Sequence, residues 1–358
     1  MPLKPYFLKP YFLKLYSLKP YSLKHSKMKN NKMNFDIITI GSAMVDHFAD
    51  TDSELIRIDT RGHHEELIAF PLGSKILINE LKTTVGGGGT NAAVAFSHLG
   101  LNTAYLGKVG SDAAGDFILS LLAQENIEFI GKRDGQTGFS VILNSIQDDR
   151  SILAYKGAND HLHKEDIPAL DSKWLYLSSM MGESWETVVD IISNGHFNVA
   201  FNPSNYQAEL GYQRLSKLVD RVKILIMNRE ESCKFLCLDH TETPHFRNLL
   251  ERMYKLPPEI VVITDGKAGA FVYDGHHFYH GLPSQDLKIL ETTGAGDAFA
   301  ATFTSAIIKG INTKTALHYA MTNAESVLQY KGAKEKLLHW DELRAQAEQN
   351  PRQIESLD

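Results

Sequence analysis

Residues 287–306 read LKILETTGAGDAFAATFTSA and combine a strand-like run, a glycine turn and a stretch of small residues. The apolar start predicts a strand, and the small residues after the turn predict a helix. Glycine lets the backbone turn sharply and approach a ligand closely. The first N–H groups of a helix have no partner inside it, and the helix dipole favours an anion there. We therefore predict an anion site at this turn, with a phosphoryl group as its natural occupant.

Asp297 begins the predicted helix. A carboxylate beside an anion site is repulsive unless it takes part in chemistry. Accepting a proton from a hydroxyl that attacks phosphorus is chemistry that needs such a group. The alternative is that Asp297 only caps the helix. We expect the base role.

Two further segments carry polar or glycine-rich patterns typical of binding sites. Residues 86–91 read GGGGTN and open a second helix of small residues, so bare backbone and the Asn91 amide suit a small polyhydroxylated ligand. Neither glycine segment matches a P-loop or a dinucleotide-binding pattern. Asn228 and Glu231 follow the strand-like VKILIM directly and would share one helix face. A carboxylate and an amide there can hold hydrated Mg²⁺ through its waters, although this spacing is also common in helix caps.

Outward from these segments, apolar strand candidates alternate with helices. Such alternation predicts an α/β fold with a mainly parallel sheet covered on both faces. The strand candidates are 35–43, 103–110, 174–179, 197–202, 222–227, 259–264 and 269–273, and the helix candidates are 90–99, 112–126, 184–194, 207–220, 229–237 and 244–255. We predict one domain over 35–345, a small β-sheet lid from about 47–85 and a hairpin over 139–155, and a C-terminal tail over 346–358.

Residues 1–34 differ in character from the rest of the chain. They carry eight lysines and no acidic residue, so residues 35–358 have a net charge of −14. Four five-residue units such as PYFLK fit neither helical nor strand periodicity. We predict a disordered basic tail; a tail that binds a membrane surface or a partner is the alternative. Its apolar runs are too short to span a membrane.

Composition excludes several classes of protein. The chain has 358 residues, of which 43% are hydrophobic and 22% charged, as in an ordinary globular protein. Two cysteines exclude a disulfide scaffold and favour a reducing compartment, so we expect a cytoplasmic protein. A net charge of −6 gives no reason to expect a nucleic-acid partner.

In their order and α/β frame, the three segments resemble the ribokinase-like (PfkB) carbohydrate kinase family. GGGGTNAAVAFSHLG (86–100) resembles its first signature, ETTGAGDAFAATF (291–303) its second, and NREE (228–231) its magnesium motif. The resemblance extends over 35–335 and implies a three-layer α/β/α sandwich with a small β-sheet lid. It also implies a phosphotransferase that uses ATP and Mg²⁺.

The resemblance assigns roles to residues of this chain. Asp297 would be the catalytic base, and the N–H groups of Gly294, Ala295 and Gly296 would form the anion hole. The substrate hydroxyls would be bound by Asp46, Gly86, Gly87 and Asn91. Asn228 and Glu231 would organise Mg²⁺ and the nucleotide phosphates. The nucleotide itself would lie along Thr264, Gly266 and Gly269, with Asn323 near the base.

Some features depart from the family pattern and leave alternatives open. Glu291 stands where Asp is usual, close to where many members bind a monovalent cation. Whether this chain binds such a cation therefore stays open. A small sugar such as ribose, fructose or a keto-deoxy sugar acid is the expected substrate. A nucleoside is the alternative, and a non-catalytic ligand-binding regulator is the other class of function. Lids of this family often pair two subunits, which implies a homodimer.

Overall fold

The structure is a computed structural model that describes residues 34–51, 54–60, 63–144, 150–238, 245–285, 287–330 and 332–357. The predicted basic tail, apart from Asn34, therefore lies outside the described residues, as does the turn of the predicted 139–155 hairpin. In the described part of the chain, no helix has the length and apolarity that a membrane crossing requires.

The elements alternate along the chain as the sequence predicts. The strands are β1 (Phe35–Ile40), β2 (Met44–Thr51), β3 (Glu54–Thr60), β4 (His63–Ala69), β5 (Ile78–Gly86), β6 (Thr103–Leu106), β7 (Lys108–Val109), β8 (Glu128–Phe129), β9 (Lys132–Arg133), β10 (Gly138–Asn144), β11 (Arg150–Tyr155), β12 (Ser172–Leu177), β13 (Asn198–Phe201), β14 (Val222–Asn228), β15 (Ile260–Thr264), β16 (Ala270–Tyr273), β17 (Phe278–Gly281) and β18 (Ile354–Ser356). The helices are α1 (Gly88–His98), α2 (Ala113–Gln124), α3 (Gly182–Asn194), α4 (Asn205–Ala208), α5 (Gly211–Val219), α6 (Arg229–Phe235), α7 (Phe246–Tyr254), α8 (Ala295–Ile308), α9 (Thr313–Leu328) and α10 (Trp340–Gln349).

The central sheet has ten strands in the order β18-β17-β16-β15-β14-β13-β12-β1-β6-β8. Pairing is parallel from β15 to β8, and antiparallel from β15 through β16 and β17 to β18. Its strands are rich in Val, Ile and Leu because both faces are covered. The carboxyl ends of parallel strands meet at one edge, where open α/β sheets bind ligands.

Helices cover both faces of this sheet, and each face has its own apolar core. Phe96 of α1 and Phe303 of α8 belong to one core, and Trp185 of α3 and Leu249 of α7 belong to the other. The fold is therefore a three-layer α/β/α sandwich, as expected.

A second sheet has the order β11-β10-β2-β5. Strands β10 and β11 pair as the predicted antiparallel hairpin, and β2 pairs with both β10 and β5. Strands β3 and β4 form a separate antiparallel pair. The lid, predicted because residues 47–85 carry no long helical pattern, is thus a small β-sheet. Its strand β2 begins four residues after the end of β1.

Two local expectations were wrong. Residues 287–290 are not a strand, although they are apolar, because no neighbouring strand pairs with them; the Leu290 N–H donates to the Leu328 carbonyl instead. The C-terminal residues do not form a separate tail: α10 extends to Gln349, and β18 adds to the edge of the main sheet beside β17.

Candidate active site

Two glycine turns meet where α1 and α8 begin. A methyl group added at Gly88 would lie 3.5 Å from Oδ1 of Asp297. Asn91 Nδ2 donates a hydrogen bond of 2.8 Å to Oδ2 of the same carboxylate. Segments that are 206 residues apart in the sequence therefore form one site, at the N-termini of two helices.

Gly86 lies directly against Asp46, a buried residue of the lid strand β2. A methyl group at Gly86 would lie 1.7 Å from Oδ2 of Asp46, so no larger residue fits there. The turn thus leaves room for the carboxylate of a neighbouring strand. This contact brings Asp46, to which the family resemblance assigns substrate binding, next to the glycine turn.

Gly294 precedes α8 and adopts the left-handed conformation, with φ at 81°. A methyl group there would lie 2.4–2.6 Å from backbone and side-chain atoms of Ala333. At Gly296, in contrast, an added methyl group would meet no atom within 4 Å. The helix therefore begins with one glycine that packing requires and a second that faces open space.

Burial raises the pKa of Asp297, and the charge of Asp46 raises it further. The hydrogen bond from Asn91 and the positive charge of Lys334 act in the opposite direction. Burial also raises the pKa of Asp46, against the charge of Lys334 and a hydrogen bond with Ser140. The site therefore contains two coupled carboxylates that favour a nearby cation or a proton donor.

Lys334 is a site residue that sequence reasoning missed. Its Nζ donates to Oδ1 of Asn91 at 2.7 Å and to the carbonyl oxygen of Val85. Burial lowers its pKa to about 8, although neighbouring carboxylates, Asp46 foremost, raise it. A lysine just after a Gly-Ala pair carries no pattern of its own in the sequence, so no local signal could have indicated this position.

Asn228 and Glu231 form a capping box at the start of α6. The Glu231 N–H donates to Oδ1 of Asn228 at 2.8 Å, and the Asn228 N–H donates to Oε2 of Glu231 at 2.9 Å. Burial raises the pKa of Glu231, and the charges of Glu230 and Asp297 add to this effect. The pair thus caps the helix while lying within electrostatic reach of the site.

Three of the residues predicted along a nucleotide, Thr264, Gly266 and Gly269, lie at the turn between β15 and β16. Asn228 and Thr264 are neighbours in register at the carboxyl ends of β14 and β15. Gly266 faces open space, whereas a methyl group at Gly269 would lie 2.0 Å from the Gly281 carbonyl oxygen, which makes Gly269 a packing requirement.

Asn323 is fully buried in α9. Its Nδ2 donates to Oγ1 of Thr302 at 2.8 Å, and its Oδ1 accepts from the Leu338 N–H at 2.9 Å. These bonds tie α9 to α8 and to the segment before α10. Both ends of the Asn323 amide are therefore hydrogen-bonded within the fold.

A small polar cavity lies beside the lid strand. It is lined by Ser42, Lys156, Asn159, Asp160, Ser179, Met180 and Met181. Asn159 holds the turn between β1 and β2, since its Oδ1 accepts from the Ala43 N–H at 2.7 Å and its Nδ2 donates to the Ala43 carbonyl at 3.0 Å. The positive charge of Lys156 lowers the pKa of both Asp46 in the site and Asp160 in the cavity, so the two regions interact electrostatically.

Comparison with known proteins identifies the family. The family profile described as pfkB family carbohydrate kinase matches residues 35–340. The chain belongs to this family. It is therefore a phosphotransferase that acts on a sugar hydroxyl, as the two signature motifs and their shared site suggest.

Relatives agree with this assignment, and a solved structure agrees with the fold. The chain is 27% identical over 338 residues to a 5-dehydro-2-deoxygluconokinase of Halalkalibacterium halodurans, covering 88% of this chain and 95% of the relative. It is 24% identical over 316 residues to an ATP-dependent 6-phosphofructokinase of Thermoanaerobacterium thermosaccharolyticum, covering 84% and 89%. The fold matches the nucleoside kinase of Methanocaldococcus jannaschii, an archaeal member of the ribokinase family, with a TM-score of 0.71 at 20% identity, covering 88% and 99%.

Proposed function

We propose that this pfkB family member transfers the γ-phosphoryl group of ATP to a hydroxyl of a small sugar, with Asp297 as the base. The observation that supports this most is the meeting of Asp297, Asp46 and the Gly86–Asn91 turn at the N-termini of two helices. An alcohol bound between the two carboxylates would lie beside the amides that attract phosphate.

In the proposed reaction, the carboxylate of Asp297 accepts the proton of the sugar hydroxyl. The hydroxyl oxygen forms a bond to the γ-phosphorus, and the bond from that phosphorus to the bridging oxygen of ADP breaks. The N–H groups at the start of α8, from Gly294 to Gly296, stabilise the negative charge on the transferred group. Closure of the β-sheet lid would exclude water, which would otherwise accept the phosphoryl group.

The donor set fits a hydrated Mg²⁺ better than a metal caged by protein. Among the described residues there is no group of three or more His, Cys, Asp or Glu that could hold a metal ion. Mg²⁺ typically keeps several waters and needs one or two carboxylates together with substrate phosphates. Glu231 and Asn228 would hold it through water, and a cation there would offset the repulsion between Glu231 and Asp297.

A monovalent cation is not part of the proposal. The Oε1 atom of Glu291 accepts hydrogen bonds from the N–H of Thr292 and from both the N–H and the hydroxyl of Thr293. This oxygen therefore already stabilises the turn that leads into α8.

A panel of acceptors tests the proposal. Purified protein with MgATP should convert at least one sugar, sugar acid or sugar phosphate and release one ADP per phosphorylated product. If only nucleosides were phosphorylated, the acceptor would be a nucleoside and the proposed sugar substrate would be wrong. Thermal stabilisation by ligands without any ATP consumption across the panel would contradict the kinase and support a ligand-binding regulator.

Replacing Gly296 by Ala should separate binding of the phosphoryl group from folding. The added methyl group meets no protein atom within 4 Å, and alanine favours a helix over glycine by about 1 kcal/mol, so the urea midpoint should stay the same or rise. The methyl group would occupy the space in front of the first N–H groups without removing them, so kcat/KM should fall at least ~10-fold, less than the ~100-fold or more that complete loss of such a donor costs. Unchanged kcat/KM would remove Gly296 from the anion hole.

We also propose a homodimer formed through the lid. The strand register places Leu81, Phe139, Leu153 and Tyr155 on one face of the lid sheet, and all four are exposed. A second copy of the same face would bury these apolar groups. Sedimentation equilibrium should show a dimer that Leu153→Asp weakens; a monomer at all concentrations would contradict it.

A further inference from the structure

Lys334 and Asp297 are joined by a chain of two hydrogen bonds through Asn91. The ammonium of Lys334 can only donate, so the oxygen of the Asn91 amide faces it, at 2.7 Å. The NH₂ group of the same amide must then face the Asp297 carboxylate, at 2.8 Å. The lysine on one side and the carboxylate on the other thus fix the direction of the amide.

A second contact fixes Lys334 itself. Its ammonium also donates to the carbonyl oxygen of Val85, in the lid strand β5. The next residue, Glu335, forms an ion pair of 3.8 Å with Lys82 of the same strand. The segment after α9 is thereby bound to the end of the lid strand β5, directly before the glycine turn.

We propose that Lys334 is a positioning residue for Asp297: through Asn91 it holds the carboxylate in one orientation and in its ionised form. This role rests on the proposed function, in which Asp297 is the base. Lys334 does not touch the reacting atoms in this scheme, and its effect reaches them through the Asn91 amide and through its charge.

The charges that face Lys334 come from several elements. Asp46 belongs to β2, Asp297 to α8, Glu125 to the end of α2, and Glu335 is its chain neighbour. Burial lowers the pKa of Lys334 to about 8 in spite of these four carboxylates. The ammonium is therefore charged at neutral pH and loses its charge just above it.

Lys334→Met tests the role, with Lys336→Met as the matched control. Lys336 lies two residues further on, and its Nζ packs 5.4 Å from the ring centre of Tyr330. We expect Lys334→Met to lower kcat about 10- to 100-fold, the scale for a supporting residue, with little change in the KM for ATP. The control should keep the wild-type values, and equal losses in the two variants would overturn the proposal.

The pH profile provides a readout that a merely structural role would not change. The charge of Lys334 lowers the pKa of Asp297, so its removal should move the acid limb of kcat/KM to higher pH. Lys334→Arg, which stays charged, should keep the acid limb in place and lose the alkaline limb near pH 8. Profiles of Lys334→Met and wild type that coincide would overturn the proposal.

Stability gives a readout that needs no substrate. Between the folded-state pKa near 8 and the unfolded value near 10.4, the unfolded chain binds one more proton at Lys334 than the folded protein. Wild-type stability should therefore rise relative to Lys334→Met as the pH increases from about 7 to 10. A difference between the urea midpoints that is independent of pH would contradict the burial of this ammonium among the carboxylates.

A double-mutant cycle with Asn91→Ala tests the route of the effect. At a pH well above the acid limb, where the charge of Lys334 no longer decides whether Asp297 is ionised, Lys334→Met should change kcat no more than about two-fold in the Asn91→Ala background. A full additional loss would overturn this route. The two proposals also fail separately: an active Asp297→Asn variant contradicts the base, whereas an inactive one together with a wild-type-like Lys334→Met contradicts only the positioning role.

Discussion

Asp297→Asn should lower kcat by at least ~100-fold, the usual scale for loss of a general base. An amide cannot accept the hydroxyl proton, although it has nearly the same shape as the carboxylate. The KM for ATP should change little, because the N–H groups at the start of α8 remain. The measurement is the rate of ADP formation with the best acceptor of the panel.

Stability separates this loss from unfolding. Because burial raises the pKa of Asp297, its ionised form costs folding free energy at neutral pH. Asp297→Asn should therefore unfold at the same or a higher urea concentration than the wild type. Asp341→Asn is the matched control, since Asp341 is also in the first turn of a helix but is exposed. Turnover within about three-fold of wild type would contradict the role of Asp297 as the base.

Gly294→Ala should destabilise the protein by about 3 kcal/mol. Left-handed backbone costs a non-glycine residue about 1 kcal/mol, and overpacking against Ala333 adds about 2 kcal/mol. Because the turn must shift to accommodate the methyl group, turnover should also fall. Chemical denaturation measures the first effect and ADP formation the second.

Gly310→Ala separates the two causes. Gly310 has a φ of 75°, close to that of Gly294, but an added methyl group meets no atom within 4 Å. It should therefore cost about 1 kcal/mol and leave turnover unchanged. Equal destabilisation by the two substitutions would show that Ala333 can move aside at little energetic cost. Packing would then not require glycine at position 294.

Much of the fold could be predicted because strands and helices leave periodic patterns in the chain. The strands from β12 to β15 are short apolar runs between helices, and they pair with one another in parallel. The lid could be predicted from a missing helix and a hairpin pattern. The run at 287–290 misled the prediction because a strand needs a neighbouring strand as a hydrogen-bonding partner, and Ile289 and Leu290 are exposed instead. Strand β18 was missed because it has only three residues, Ile354–Ser356, which are too few to show a periodic pattern.

Parts of the candidate site could also be predicted from the sequence, and other parts could not. The glycine turns before α1 and α8 are visible in the sequence because glycine is the residue that a close approach or a left-handed turn requires, as at Gly86 and Gly294. Asn228 and Glu231 could be predicted to share a helix face, although their capping box became visible only in the structure. The hydrogen bonds between Asn323 and Thr302 and Leu338 became visible only in the structure, since these partners lie on other elements.

By itself, the sequence determined the alternating α/β order, the two glycine turns and the carboxylate after the second turn, because each depends on residues close together in the chain. The tertiary structure alone decided that Lys334 contacts Asn91 across 243 residues and that Asp46 lies against Gly86. Such contacts depend on how layers and lid pack, and packing brings together side chains whose separation along the chain carries no periodic signal.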